Sequence, residues 1–185
     1  MCKDKICQCP SGFTGDPFVS CTGNQVLQNN QTPSIKCPTN SSGYYLVGNK
    51  CIYFEQTDLN WENAKKGCKN KFSGGGRLFE PLSLQEHNDV YALIKIYNKN
   101  FNVAYWIGVD DLSQEGSFTY SSSGSKISFN LPWHDNNRAP WGTRGSKYNC
   151  VLVNNDGLSA TSGDLRGLWA DADCPIPIPS VCEPE

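Results

Sequence analysis

Residues 167–183 read GLWADADCPIPIPSVCE and contain the last two of the ten cysteines in this 185-residue chain. The last four cysteines are widely spaced: Cys68 and Cys182 bracket almost everything after residue 68, and Cys150 and Cys174 lie inside that bracket. A high, even cysteine count with such spacing indicates structural disulfides, which form in oxidising compartments. Zinc is the weaker interpretation, because neither histidine lies near a cysteine pair. We therefore expect a secreted protein or the extracellular part of a surface protein.

The composition excludes several classes of function. The formal net charge of −2 gives no electrostatic footprint for nucleic acid. No apolar run approaches the roughly 20 residues of a membrane-spanning helix. The polar start Met1-Cys2-Lys3-Asp4-Lys5 lacks the apolar stretch of a signal peptide, so for a secreted protein we expect the leader to have been removed. Neither a G-x-S-x-G elbow nor a P-loop occurs, so we expect no enzyme. Asn30 and Asn40 begin N-glycosylation sequons and predict a glycoprotein.

Composition divides the chain into three segments. Residues 1–22 hold four cysteines in a short polar stretch, which cannot build a hydrophobic core and needs disulfides. Residues 23–36 have few large apolar side chains and are typical of a linker. Aromatic and aliphatic residues return at Cys37, so residues 37–185 form the predicted folded domain.

Local patterns predict two helices in this domain. Apolar residues recur at helical spacing over residues 60–72, which predicts a helix with one buried face, ended by the glycines at 74–76. Its apolar positions are Trp61, Ala64, Cys68 and Phe72. The sequence Ser83-Leu84-Gln85-Glu86 is a capping box that begins a second helix. The apolar stripe of that helix is Val90, Leu93, Ile94 and Tyr97.

Short strands account for much of the remainder. Residues 43–54 predict a hairpin that turns at Gly48-Asn49 and is pinned by Cys37–Cys51. Further strands are predicted at 104–109, 117–120, 151–153, 167–170 and 180–182. A long irregular segment follows Pro132 and runs to Tyr148, and loops of that length in compact domains usually carry function.

Four motifs, in order, resemble those of C-type lectin-like domains. Residues 61–64 with Cys68 resemble the W-x-x-A-x-x-x-C first helix of that family. Trp106-Ile107-Gly108-Val109 resembles the W-I-G-L signature, and residues 115–120 are similar to the strand after it. Residues 167–183 resemble the closing pattern G-x-W-N-D…C…V-C-E.

This resemblance covers about residues 37–185 and implies a disulfide-stapled α+β fold. Two helices flank two small antiparallel sheets in that fold, and a long loop carries the binding site. The implied bridges are Cys37–Cys51, Cys68–Cys182 and Cys150–Cys174. The implied function is extracellular carbohydrate recognition in innate immunity or adhesion. The alternative is a protein-binding module that has lost sugar binding.

The amino-terminal segment resembles the end of an epidermal-growth-factor-like module. Residues 7–21 follow its C-x-C-P-x-G-F-x-G-x-P…C pattern, which implies a Cys9–Cys21 bridge. The usual partner of Cys7 lies upstream in that family. The sequence leaves open whether Cys2 takes its place or whether one of these two cysteines links a disulfide-bonded oligomer.

The sugar site of the resembled family depends on Ca²⁺, a hard cation with six to eight oxygen ligands. Asp171 matches the closing aspartate, but Ala170 replaces its asparagine, and Tyr148 stands at the acidic position before Cys150. The Ala139-Pro140-Trp141 triplet keeps the proline of the family's third motif without a side-chain oxygen. We therefore expect the usual sugar-bridging calcium site to be lost.

The candidate ligand-binding residues lie in the long loop and the closing strand: Asp135, Asn136, Asn137, Trp141 and Asp171. A second Ca²⁺ position of the family matches Asp111 and Glu115, with Asn149 near the third contribution. The alternative is that Asp111 and Glu115 only shape the turn. Trp133 is expected in the core, since tryptophan is heavily buried on average.

Overall fold

The computed structural model describes residues 2–3, 6–7, 13–16, 20–23, 37–38, 42–97, 104–133, 147–154 and 167–185. The chain divides into two compact units, residues 1–34 and residues 35–185. Within the described residues, no helix has the length and apolar character needed to cross a membrane.

The first unit contains two short antiparallel pairs. They are β1 (Cys2–Lys3) with β2 (Ile6–Cys7), and β3 (Phe13–Asp16) with β4 (Ser20–Gly23). Cys2 is the register partner of Cys7, and Gly15 that of Cys21. The sequence patterns did not predict these strands. Cys9 lies outside the described residues, so the Cys9–Cys21 bridge stays a prediction.

Eight strands of the second unit form one sheet in the order β11-β10-β8-β12-β6-β5, with β7 beside β12 and β9 beside β8. The strands are β5 (Tyr44–Val47), β6 (Lys50–Leu59), β7 (Gly76–Leu78), β8 (Tyr105–Asp110), β9 (Thr119–Tyr120), β10 (Cys150–Val153), β11 (Trp169–Ala172) and β12 (Ile178–Pro184). Every pair is antiparallel except β8 with β12, which meet in parallel at Trp106 and Ser180. That contact joins the two antiparallel halves into one mixed sheet, where two separate small sheets were expected. The predicted α+β class with two helices is confirmed.

Helix α1 (Trp61–Cys68) begins where the motif predicts and ends earlier. Asn60 caps it, because its side chain accepts a hydrogen bond from the Asn63 N–H at 2.9 Å. The predicted extension to Phe72 is wrong. Gly76 at the start of β7 packs directly against the Cys68 carbonyl group with no space for a side chain, so the chain turns back there.

Helix α2 (Leu84–Tyr97) begins after the predicted cap. Ser83 Oγ accepts a hydrogen bond from the Glu86 N–H at 3.1 Å, and the Glu86 carboxylate accepts one from the Leu82 N–H at 2.7 Å. The reciprocal bond therefore reaches one residue further back than in a standard capping box. Val90 and Ile94 are buried, as the apolar stripe predicts.

Two hydrophobic clusters occupy the second unit. One includes Val90 and Ile94 of α2 together with aromatic side chains of the sheet, and Trp133 packs against its edge, as predicted. The other includes Trp61 and Trp106. Three disulfides join residues of the described ranges: Cys37–Cys51, Cys68–Cys182 and Cys150–Cys174, with Cα–Cα distances of 5.2, 5.4 and 5.2 Å. These are the pairs that the family resemblance implies.

Candidate functional site

Two long segments outside the described residues, 134–146 and 155–166, attach to one small region of the second unit. We call this region the loop base, and it consists of Pro132, Trp133, Asn154, Gly167, Leu168 and Trp169. The Trp169 N–H donates to the Pro132 carbonyl oxygen at 2.7 Å. Asn154 and the 167–168 turn exchange two backbone hydrogen bonds of 2.7 and 2.8 Å. The loop base therefore contains Trp133, which precedes segment 134–146, and it contains Asn154 and Gly167, which flank segment 155–166.

Aromatic rings pack against one another in and next to the loop base. Trp169 is fully buried, and its ring centroid lies 5.7 Å from that of Trp133 and 6.0 Å from that of Phe129. Phe118 also packs against Trp133, with the two ring centroids 4.8 Å apart. All three contacts have the edge-on geometry that aromatic pairs prefer.

A buried histidine connects α2 to the loop base. His87 Nε2 lies 2.7 Å from the Gly167 carbonyl oxygen, and His87 Nδ1 lies 3.1 Å from Trp169 Nε1. A carbonyl oxygen only accepts and an indole N–H only donates, so the imidazole is neutral with its proton on Nε2. Burial lowers the pKa of His87 below its usual value, against the opposing effect of the Gly167 hydrogen bond.

Sequence reasoning did not assign a role to His87. The available signal was its position three residues before Val90 and seven before Ile94, which places it on the buried stripe of α2. Its two partners lie 80 and 82 residues further along the chain, so the pattern of α2 alone cannot identify them.

Among the predicted site residues that the structure describes, Asp111 is the most buried carboxylate, with 2% of its surface exposed. Its Oδ2 accepts a hydrogen bond from the Gly116 N–H at 2.7 Å, and its backbone N–H donates to the Asn149 carbonyl oxygen at 3.1 Å. Its Oδ1 is buried and has no hydrogen-bond partner within the described part of the chain. Burial first, and then the charges of Glu115 and Asp171, raise the pKa of Asp111.

The structure therefore brings four predicted residues into one neighbourhood: Asp111, Glu115, Asn149 and Asp171. Asp171 lies on β11 and is 7% exposed, whereas Glu115 is exposed on the turn after β8. Asp110, which the sequence analysis did not single out, is buried beside them, and burial raises its pKa as well.

Across the described ranges, no three His, Cys, Asp or Glu side chains cluster as a metal site. Tyr148 and Ala170 are both half-buried, and neither side chain offers a carboxylate or amide oxygen. Four other candidates, Asp135, Asn136, Asn137 and Trp141, lie outside the described residues and stay predictions.

This chain is similar in sequence to known proteins. Perlucin-like protein of Mytilus galloprovincialis is 28% identical over 103 residues, which are 56% of this chain and 61% of that protein. This chain thus spans less than two thirds of that relative. Type-2 ice-structuring protein of Hemitripterus americanus is 26% identical over 171 residues, which are 90% of this chain and 86% of that protein.

The solved structure of SPL-1 in complex with GlcNAc is 26% identical and superimposes with a TM-score of 0.60, over 82% of this chain and 96% of the SPL-1 chain. The profile of the C-type lectin domain matches residues 57–184. Because that match spans more than half of the sequence, this chain belongs to the C-type lectin domain family.

Proposed function

We propose that this chain is an extracellular carbohydrate-binding protein and not an enzyme, and that its ligand face is built on the loop base. The observation that carries the proposal is that segment 134–146 begins at that one region and segment 155–166 both begins and ends there. Asp135 and Trp141 follow Trp133 in the first segment, and Asp171 follows Trp169 by two residues. The complex of the related SPL-1 with GlcNAc supports a sugar as the ligand class.

Sugar binding in this protein does not require the usual bridging calcium. The substitutions at Tyr148 and Ala170 remove two oxygen ligands that a cation with six to eight oxygens needs. Shape and stacking would then supply most of the affinity, with Trp141 covering the apolar face of a sugar ring. A degenerate site of this kind predicts binding that survives EDTA.

The test is a glycan array probed with the disulfide-intact chain in Ca²⁺ and then in EDTA, with N-acetylglucosamine-conjugated albumin as the first single probe. We expect binding that changes less than twofold with EDTA and that falls about tenfold in Trp141→Ala, which corresponds to about 1.4 kcal/mol. Ile96→Ala is the matched control, because Ile96 is an exposed apolar residue on α2 and is 64% accessible.

The alternative is a protein-binding module that uses the same face. A folded chain that binds no array glycan in either condition would contradict sugar recognition and favour this alternative. The missing calcium ligands support it, since they remove the interaction on which sugar binding in the resembled family depends.

We further propose an extracellular setting, a growth-factor-like segment at residues 1–22 and a linker at residues 23–36. The three disulfides of the second unit support the compartment. Directly opposed residues of an antiparallel pair have Cα atoms about 4.5–5.5 Å apart, within disulfide range. The register of Cys2 with Cys7 therefore supports a bridge inside the chain, and a single monomer band on non-reducing electrophoresis is expected.

A further inference from the structure

The imidazole of His87 is the hydrogen-bonded link between α2 and the loop base. Its two bonds, to the Gly167 oxygen and from the Trp169 indole N–H, need one nitrogen that donates and one that accepts. Gly167 has a φ of +83°, and a Cβ there would lie 2.7 Å from the Tyr91 ring. The turn therefore contacts α2 at Tyr91 as well as at His87, and its position depends on that helix.

Protonation removes one of these two bonds. An imidazolium carries N–H groups on both nitrogens, so Nδ1–H would face the Trp169 Nε1–H across 3.1 Å. Two donors at that distance repel each other, and the indole N–H would lose its acceptor inside the core. Because His87 is only 2% exposed, its positive charge would also lie away from water.

The neighbouring charges do not offset this cost. On α2, the Glu86 carboxylate is paired with Lys50 Nζ at 2.7 Å, and the Asp89 carboxylate accepts from Gln85 at 2.8 Å. Tyr91 stacks in parallel on the imidazole at 6.3 Å and carries Lys95 Nζ 5.1 Å from its ring centroid.

From the sheet side, Gly167, Leu168, Trp169 and Ala170 are not titratable, and Asp171 is the first charged residue after them. Arg166 precedes Gly167 in the sequence and lies outside the described residues. In the described part of the chain, no carboxylate is hydrogen-bonded to the imidazole, whose partners are Gly167 and Trp169. Consistent with this setting, burial lowers the pKa of His87.

We propose that His87 positions the loop base for ligand binding, and that its protonation at mildly acidic pH displaces Trp169 and releases a bound glycan. The release part rests on the proposed function. Trp169 packs on Trp133, the residue that precedes segment 134–146, and Gly167 follows segment 155–166. A shift of Trp169 and Gly167 is therefore transmitted to the attachment points of both segments that would contact the ligand.

The first test needs no ligand. The indole ¹H–¹⁵N resonance of Trp169 is followed from pH 7.5 to 4.5 in the wild type, in His87→Gln and in His134→Gln. Glutamine can donate and accept as the neutral imidazole does and does not titrate in this range. His134 is the other histidine of the chain.

We expect one transition below pH 6.5 in the wild type and in His134→Gln, and none in His87→Gln. A wild-type resonance without a transition in this range overturns the proposal, even if His87→Gln does not fold. So does a transition that disappears in His134→Gln.

The second test measures binding to N-acetylglucosamine-conjugated albumin at pH 7.5 and 5.0. If only the neutral form binds, the apparent affinity falls up to about tenfold for each pH unit below the pKa of His87. We expect His87→Gln to change less than about twofold over the same interval. Equal losses in the wild type and in His87→Gln overturn the release mechanism. If no variant binds the probe at either pH, the proposed function fails, and the indole titration alone decides whether His87 is a pH-sensitive link.

Discussion

Removal of the Cys68–Cys182 bridge should cost more stability than removal of either other bridge in the second unit. The perturbation is the double variant Cys68→Ala and Cys182→Ala. The bridge closes a sequence separation of 114 residues, compared with 24 for Cys150–Cys174 and 14 for Cys37–Cys51. The chain-entropy relation gives about 4.8, 3.4 and 3.0 kcal/mol for these three loops.

Two structural details adjust the stability loss expected for the Cys68–Cys182 bridge. The Cys150–Cys174 bridge lies inside the larger loop and shortens it to roughly 90 residues, which changes a logarithmic term by only about 0.1–0.2 kcal/mol. The two cysteines are 1% and 0% exposed, so replacing their sulfur atoms by hydrogen leaves a small cavity that adds roughly 1 kcal/mol. The expected loss is therefore about 5–6 kcal/mol, which is comparable to the whole stability of many domains.

The assay is guanidinium unfolding, followed by near-ultraviolet circular dichroism without reductant. The control is Cys37→Ala with Cys51→Ala, for which we expect a loss of about 3 kcal/mol and an unfolding transition that is still cooperative. An equal or larger loss in the control than in the Cys68 and Cys182 variant would refute the argument from loop length.

Three further predictions concern single side chains. Glu183→Ala removes a fully buried carboxylate that lies 2.9 Å from Lys50 Nζ and accepts a hydrogen bond from the buried Glu80 N–H, so we expect a loss of about 1–3 kcal/mol in chemical unfolding. Lys66→Ala removes only an exposed pair and should cost less than about 0.5 kcal/mol, and similar losses in both variants would contradict the argument from burial. Asp111→Asn should raise stability at pH 7 by up to about 1 kcal/mol, because the raised pKa of Asp111 shows that its ionisation opposes folding. Calorimetry should show this gain shrinking at pH 4, and a destabilised variant at pH 7 would contradict it. The wild type should lose stability as the pH falls below 6.5, because the pKa of His87 is lowered and the unfolded chain binds the proton first. Thermal unfolding of His87→Gln should show a smaller loss from pH 6.5 to 5, and parallel curves would count against the assignment.

Sequence patterns predict an element well when its own residues determine it. Trp61, Ala64 and Cys68 recur at helical spacing and are buried in α1, as expected. Phe72 continues the same spacing, but the helix has already ended. The reason is tertiary, because the strand that begins at Gly76 packs against the end of α1. Periodicity alone carries no information about that contact.

In the candidate site, too, local motifs place some residues, whereas the role of another residue depends on distant parts of the chain. Asp111 and Glu115 lie at fixed offsets from the Trp106 motif, so the motif could place them together, and the structure does so. His87 could not be found in this way, because it resembles any polar residue near the start of a helix. Its role depends on Gly167 and Trp169, which a different part of the chain supplies. Sequence separation is the physical reason for this miss.

The central position of β12 has a consequence for synthesis. This strand pairs with β6, β7 and β8, and it is the last strand of the domain to leave the ribosome. At 5–20 residues per second, Cys68 emerges roughly 6–23 seconds before its partner Cys182. If the chain is oxidised as it emerges, the waiting Cys68 thiol can form a bridge with Cys150 or Cys174 before Cys182 is available. In the proposed extracellular protein we therefore expect the yield of native chains to rise with a disulfide isomerase, which reshuffles such bridges after translation ends.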